Sequence, residues 1–397
     1  MDKSESSGYK DFVWAIGINR LNLKLVGLWP KTNEVSKRRL GSDICAGFTF
    51  IMLAFVIGIP MVHALIRVSG DMALMIDNLQ MTLIILTILL EFLIMRRKQE
   101  VISSIIIMIE EDWLRLKLNT ERDVMIKRAW IARLVTISVA VVTIPAYTFL
   151  IIIPYFHLPV RQLTNLTDRN RPLPLQTYYV YDTDNSLQFE LTFFAQAIAV
   201  LLAIFIYVGV SGFLGFAILH MYGQLENFKR QLNNLTSCKD FNKALSSCIV
   251  THLRLIRYAN NVEHTFTLIL FLLVLEFSII FCLCGFVLVI MITDENMNTA
   301  KLSQLSYTLI VVISQLMQTF IYCFGGDLIS GQCDAVYRTI CDLDWYTWEP
   351  HEAKNIILLM LLTKKPFCIT AGKILPLTMA TFCNVGGICY LNLLLYC

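Results

Sequence analysis

Charge is scarce in this chain. Charged residues make up 16% of its 397 positions, against about 25% in an ordinary soluble domain. What charge there is nearly balances, at a formal +3. No nucleic-acid partner is expected, because its basic footprint is missing. Histidine is rarer still: His63, His157, His220, His252, His264 and His351 are scattered and stand in no recognisable motif. No catalytic set is expected, and so no enzyme activity. The twelve cysteines contain no Cys-x-x-C pair and no Cys/His cluster, so neither a metal site nor a cofactor is expected. No internal repeat is present, which disfavours the repeat-built transporters.

Long apolar runs take the place of charge. Hydrophobic residues reach 56%, and about 20 in a row span a bilayer as a helix. Five runs carry no charge: Ile44–Ile66, Leu134–Val160, Leu191–Leu225, Leu302–Gly326 and Ile374–Cys397. Two more carry acids. Met72–Met95 holds Asp77 and Glu91, and Leu268–Ile292 holds Glu276. The expectation is an all-α integral membrane protein with seven transmembrane helices. Asp77 and Glu91 lie close to opposite ends of their run and are expected to reach water. Glu276 is expected to have a structural partner.

Lys and Arg set the orientation. Residues 1–42 hold eight, the first connection only Arg67, and the second another eight from Arg96 to Arg128. The third holds three, the fourth six and the fifth only Lys301; the sixth holds four from Arg338 to Lys365. This alternation places the N-terminus in the cytoplasm and the C-terminus outside. No cleavable signal peptide is expected, since the first 40 residues are polar or amphipathic. The sequon at Asn165 then falls outside and is open to glycosylation, whereas that at Asn234 falls inside.

The connections on the basic side read as helices. Ile102, Ile105, Ile106, Ile109, Trp113 and Leu116 form one apolar stripe, and Tyr222, Leu225, Phe228, Leu232 and Leu235 another. Pro350 opens a further amphipathic helix behind the aromatic residues Trp345, Tyr346 and Trp348. The domain reading follows. Residues 1–42 form a cytoplasmic segment. Residues 43–397 form one transmembrane domain, with helical extensions near 96–128, 218–267 and 328–365 that build a cytoplasmic packing layer.

Three segments carry a resemblance. "LNLKLVGLWP" (Leu21–Pro30) precedes the first span, "ISGQCDAVYRTICDLDWYTW" follows the sixth, and "LLTKKPFCITAGKILPLTMATF" enters the seventh. Together they resemble the insect odorant receptor family over essentially the full length. A 397-residue chain has little room for the long insertion of the family's shared co-receptor, so it resembles a ligand-tuned receptor. The resemblance implies a subunit of a heterotetrameric, ligand-gated non-selective cation channel in the plasma membrane of olfactory neuron dendrites. Its implied partners are the co-receptor, membrane lipid, permeant cations and a small volatile organic ligand.

The same resemblance implies site residues. The last helix, about 370–397, would line the pore, with Tyr390, Leu393 and Cys397 at its outer constriction and Asn384 and Asn392 as nearby polar groups. A ring of apolar side chains closes a pore by dewetting, and a charge-free tail adds no like charges around the ion path. The ligand pocket would lie in the outer half among spans two, three, four and six. Its candidates are Met75, Asn78 and Met81; Ile144, Tyr147 and Thr148; Phe189, Phe193 and Phe194; and Tyr307 and Ile310. One departure is that the family's last helix often carries Ser-Tyr-Phe-Thr, where this chain has Cys389-Tyr390-Leu391-Asn392. The alternatives are a gustatory-type channel subunit, disfavoured because no Gln-Phe follows Tyr390, and a G-protein-coupled receptor. The latter needs the N-terminus outside, and its Asp-Arg-Tyr and Asn-Pro-x-x-Tyr motifs are absent.

Overall fold

The apolar runs fold as helices that outlast a bilayer. In the computed structural model, residues 7–30, 36–70, 72–115, 118–147, 151, 155, 173–181, 185–235, 240–293 and 299–384 are described. α1 spans Ser7–Leu25 and α2 Ser36–Ile51; a π-helical stretch, Met52–Gly58, leads into α3, Ile59–Arg67. α4 is Met72–Arg97, α5 Gln99–Leu114 and α6 Asn119–Tyr147. α7 is Ser186–Asn233, α8 Phe241–Thr293, α9 Thr299–Cys341 and α10 Pro350–Thr363. Two short strands, β1 (Thr370–Ala371) and β2 (Leu375–Pro376), pair antiparallel. Among the described residues, five helices are long and apolar enough to cross a membrane: Leu40–Arg67, Leu74–Arg97, Ser186–Asn233, Phe241–Val289 and Thr308–Thr347.

α7 is the central post. It has 48 residues, roughly 72 Å at 1.5 Å per residue, and a bilayer core uses only about 30 Å of that. It packs against α1, α4, α6, α8, α9 and the π stretch. Small residues let α1 approach it. A Cβ on Gly212 would lie 2.6 Å from Asn19 Oδ1 and 2.7 Å from Thr136 Cγ2, the close helix contact that small residues permit. α1 ends at Gly27, which adopts φ +71° while Leu28 N–H donates back to Leu23 O at 2.8 Å. This is the left-handed stop that glycine favours.

The π stretch precedes Pro60, which has no backbone N–H to give. Carbonyls loosened there would be costly inside a bilayer. A segment of the connection before α7 satisfies the one at Val56 and adds a bond at Pro60. The Tyr179 hydroxyl donates to Val56 O at 2.7 Å, and Tyr178 N–H to Pro60 O at 3.1 Å. Burial pushes the Tyr179 hydroxyl up to about 12, so it stays a neutral donor.

The end of the bundle carrying α5 and α10, its base, is packed too. α5 buries Ile102, Ile105, Ile106, Ile109 and Trp113. Phe228 stacks on His252, with ring centroids 5.7 Å apart, and the Phe367 ring lies 6.2 Å from it. Burial pushes the His252 imidazole down, so it packs as a neutral ring.

The entry to the last helix differs from expectation. Residues 370–376 form the hairpin, because Gly372 and Lys373 hold φ of +64° and +60°. Glu263 accepts from Thr370 N–H at 3.0 Å, and Thr267 O accepts from Gly372 N–H at 2.8 Å, tying the hairpin to α8. Helix resumes at Met379. Thr378 Oγ1 accepts from Thr381 N–H at 3.2 Å as its cap, and Asp327 accepts from Met379 N–H at 2.8 Å. A helix from about 370 is therefore corrected to one that starts near 379. Gly326 sits where this segment crosses α9: a Cβ there would lie 2.1 Å from Leu377 O. Gly326→Ala is expected to cost about 2–3 kcal/mol by forcing the backbones apart. Thermal unfolding of the purified protein checks this, and an unchanged midpoint would contradict the close approach.

Candidate ligand cavity

Helix periodicity builds the site. Met81, Ile84, Ile85 and Ile88 follow i, i+3, i+4, i+7 on α4, and so do Val200, Ala203, Ile204 and Tyr207 on α7. Val311, Ser314 and Gln315 follow i, i+3, i+4 on α9, with Ile310 beside them. Thr143 and Tyr147 of α6, and Leu273 and Glu276 of α8, close the remaining walls. The cavity between them encloses about 160 Å³, close to the roughly 150 Å³ of an engineered apolar cavity that takes benzene.

Its roof is the segment 173–181, through Leu175. Gln196 pins that segment. It accepts from Leu175 N–H at 3.2 Å and donates to Thr177 Oγ1 at 2.8 Å and to the Tyr179 hydroxyl at 3.0 Å. Asn78 donates to Gln176 O at 3.3 Å.

The base-ward end is polar. Glu91 and Glu276 both line the cavity and are 1% and 6% exposed. Glu276 accepts from Gln315 Nε2 at 3.1 Å and from the Thr87 hydroxyl. Below them, Tyr207 donates to Gln318, which donates to the Tyr322 hydroxyl at 2.9 Å; that hydroxyl reaches Ser211 Oγ at 2.8 Å.

The candidates from sequence divide cleanly. Met81, Tyr147 and Ile310 line the cavity. Asn78 is buried but holds the roof instead. Phe193 is buried above the cavity, within 6.2 Å of the rings of Phe189, Phe194 and Tyr155. Ile144 and Phe194 are exposed, and Met75 is half-buried away from the lining. Tyr307 lies on α9 with its side chain outside the description, and Asn384 is exposed at the end of the described chain. Thr148, Asn165, Tyr390, Asn392, Leu393 and Cys397 lie outside the described residues.

The acids require a correction. Asp77 and Glu91 do not reach water: they are 5% and 1% exposed, because α4 turns both inward. Sequence reasoning passed over Thr87, Glu91, Tyr207, Glu276, Ser314 and Gln315 as lining. The available signal was Thr87 and Glu91 at i, i+4 in a stretch, Leu83–Met95, that is otherwise apolar.

A family profile described as 7tm Odorant receptor matches residues 71–390. The chain belongs to the odorant receptor family. Among relatives, Odorant receptor 22c of Drosophila melanogaster is 31% identical over 116 residues, 29% of this chain and 27% of that one. Odorant receptor 13a of the same fly is 23% identical over 247 residues, 57% and 58% of the two chains. Both pairings span less than two thirds of the relative. The fold is shared with the insect olfactory receptor OR5 from Machilis hrabei, whose structure is in complex with eugenol. That likeness has a TM-score of 0.81 at 12% identity and covers 97% of this chain and 98% of the other. As a member of the odorant receptor family this chain is an integral membrane protein, and its cavity lies among the helices of that shared fold.

Proposed function

We propose that this chain is the odorant-binding subunit of a heteromeric, ligand-gated, non-selective cation channel. The observation that carries the reading is the mainly apolar cavity among the helices in a chain of the odorant receptor family. Such a cavity suits a small volatile molecule, held by apolar contact and oriented by few polar groups. The solved relative in complex with eugenol supports a ligand of one-ring size. The partner in this reading is the insect co-receptor, in a heterotetramer. Each subunit contributes its last helix to the pore, with Tyr390, Leu393 and Cys397 as the gate and Asn384 and Asn392 as polar neighbours. The basic-residue bias supports a cytoplasmic N-terminus. The cell location in this reading is the plasma membrane of olfactory neuron dendrites, and the chain has no catalytic role.

Electrophysiology tests it. The chain is expressed with the co-receptor, a panel of volatile one-ring compounds is applied, and each chain alone serves as control. The expected result is a fast cation current that needs both chains and a ligand. Surface-expressed chains that stay silent across the panel would count against the reading. A response only through G-protein signalling would overturn the topology and the gating mechanism together.

A further inference from the structure

The base-ward end of the cavity is short of one kind of group. Glu91 Oε2 is buried and has no hydrogen-bond partner among the described residues. No described lining residue is Lys, Arg or His. The lining hydroxyls cannot help, because their protons go elsewhere. Tyr147 donates to Ala197 O at 3.4 Å and Thr143 to Val139 O at 3.0 Å. Ser314 donates to Ile310 O at 2.8 Å, and Tyr207 to Gln318. Thr87 and one N–H of the Gln315 amide serve Glu276. Among the described residues the site therefore offers acceptors and few free donors, the second N–H of the Gln315 amide being one.

An unpartnered carboxyl inside a membrane is costly. Packing does not call for one, since Ile84, Ile85 and Ile88 fill the neighbouring positions of the same face. A second carboxyl, Glu276, lines the same cavity and raises the cost, because like charges in one low-dielectric site oppose each other. A ligand that brings a positive charge and several N–H donors relieves both. An ammonium has three donors on a primary amine and makes charge-assisted bonds to carboxylates.

We propose that the cavity takes a small volatile amine, its ammonium between Glu91 and Glu276 and its hydrocarbon body against Met81, Ile84, Val200 and Ile310. This rests on the reading of the cavity as the ligand site. It makes the two acids specificity-determining groups: they favour a basic nitrogen over a neutral molecule of the same shape. An alcohol offers a single donor and no charge, so it ranks between the amine and the hydrocarbon.

The test uses the chain with its co-receptor and three probes of one shape: 2-phenylethylamine, 2-phenylethanol and propylbenzene. The amine is expected to open the channel at a concentration about tenfold or more below propylbenzene, one charge-assisted contact in affinity terms. Glu91→Gln is expected to raise the half-maximal concentration for the amine about 10- to 100-fold and to move propylbenzene by less than about threefold, within the noise of a preserved pocket. Surface labelling checks that the variant folds, and Glu276→Gln gives an independent second reading. An amine no more potent than propylbenzene, or a Glu91→Gln shift shared equally by all probes, overturns the inference while the cavity remains the ligand site. Silence to every probe in surface-expressed wild-type channels overturns the ligand-site reading, and the inference with it.

Discussion

Ala203→Phe is expected to abolish ligand-evoked current, or to raise the half-maximal concentration by about 100-fold or more. A phenyl ring is itself of the size that a cavity of roughly 150 Å³ accepts, and the cavity here encloses about 160 Å³. Ala203 lies on the lining face of α7 and is 2% exposed. A ring placed there occupies the ligand's space from inside. Overfilling a packed core costs about 1–3 kcal/mol, but here the ring enters a void, so folding should suffer less than binding. Ala203→Val adds only two methyl groups and should keep a weakened response. Dose–response curves beside surface labelling decide it. An unchanged half-maximal concentration in Ala203→Phe would show that the ligand sits elsewhere.

Periodicity explains which parts were legible in the sequence. The apolar stripes at i, i+3, i+4 gave the buried faces of α5 and α7, because those faces contact protein and hence need apolar atoms at helical spacing. Pro350 marked the start of α10, where a missing N–H costs nothing. Met81, Tyr147 and Ile310 were reachable only through the family resemblance, which implies a pocket in the outer half of their spans. The roof was not, since segment 173–181 has no apolar period. Its position comes from hydrogen bonds to Gln196, Asn78 and the carbonyl of Val56, and each of those partners is distant in sequence. The hairpin at 370–376 was hidden for a similar reason. Apolar composition there suggested helix, while the positive φ of Lys373 depends on Glu263 and Thr267 holding the turn. Glu91 was misjudged because position along a span says how deep a residue lies, not which way it faces.

Asp112→Ala is expected to be the most destabilising single change at the base, by about 2–4 kcal/mol, the cost of breaking a buried ion pair reduced for partial exposure. Asp112 joins three helices. Its carboxylate accepts from Arg254 Nε at 3.0 Å and lies 3.1 Å from His220 Nε2. The side chains of Asp112, His220 and Arg254 are 11%, 2% and 20% exposed. Removing the carboxylate leaves Arg254 with Glu111 at 2.9 Å and Met108 O at 2.9 Å, so its charge is not wholly stranded. His220 loses its contact to the acid inside a packed site against Tyr258. Asp112→Ala combined with Arg254→Met should recover part of the loss, because no buried charge is then left unpaired. Fluorescence-detected thermal unfolding measures both variants, and an unchanged midpoint in Asp112→Ala would remove the cluster from any account of stability. Ligand concentration–response curves separate the two ends of the molecule. Surviving Asp112→Ala channels should respond at unaltered half-maximal concentration, since none of these side chains lines the cavity. A shifted curve would instead mean that the base and the cavity are energetically coupled along α7 and α8, the two helices that run through both.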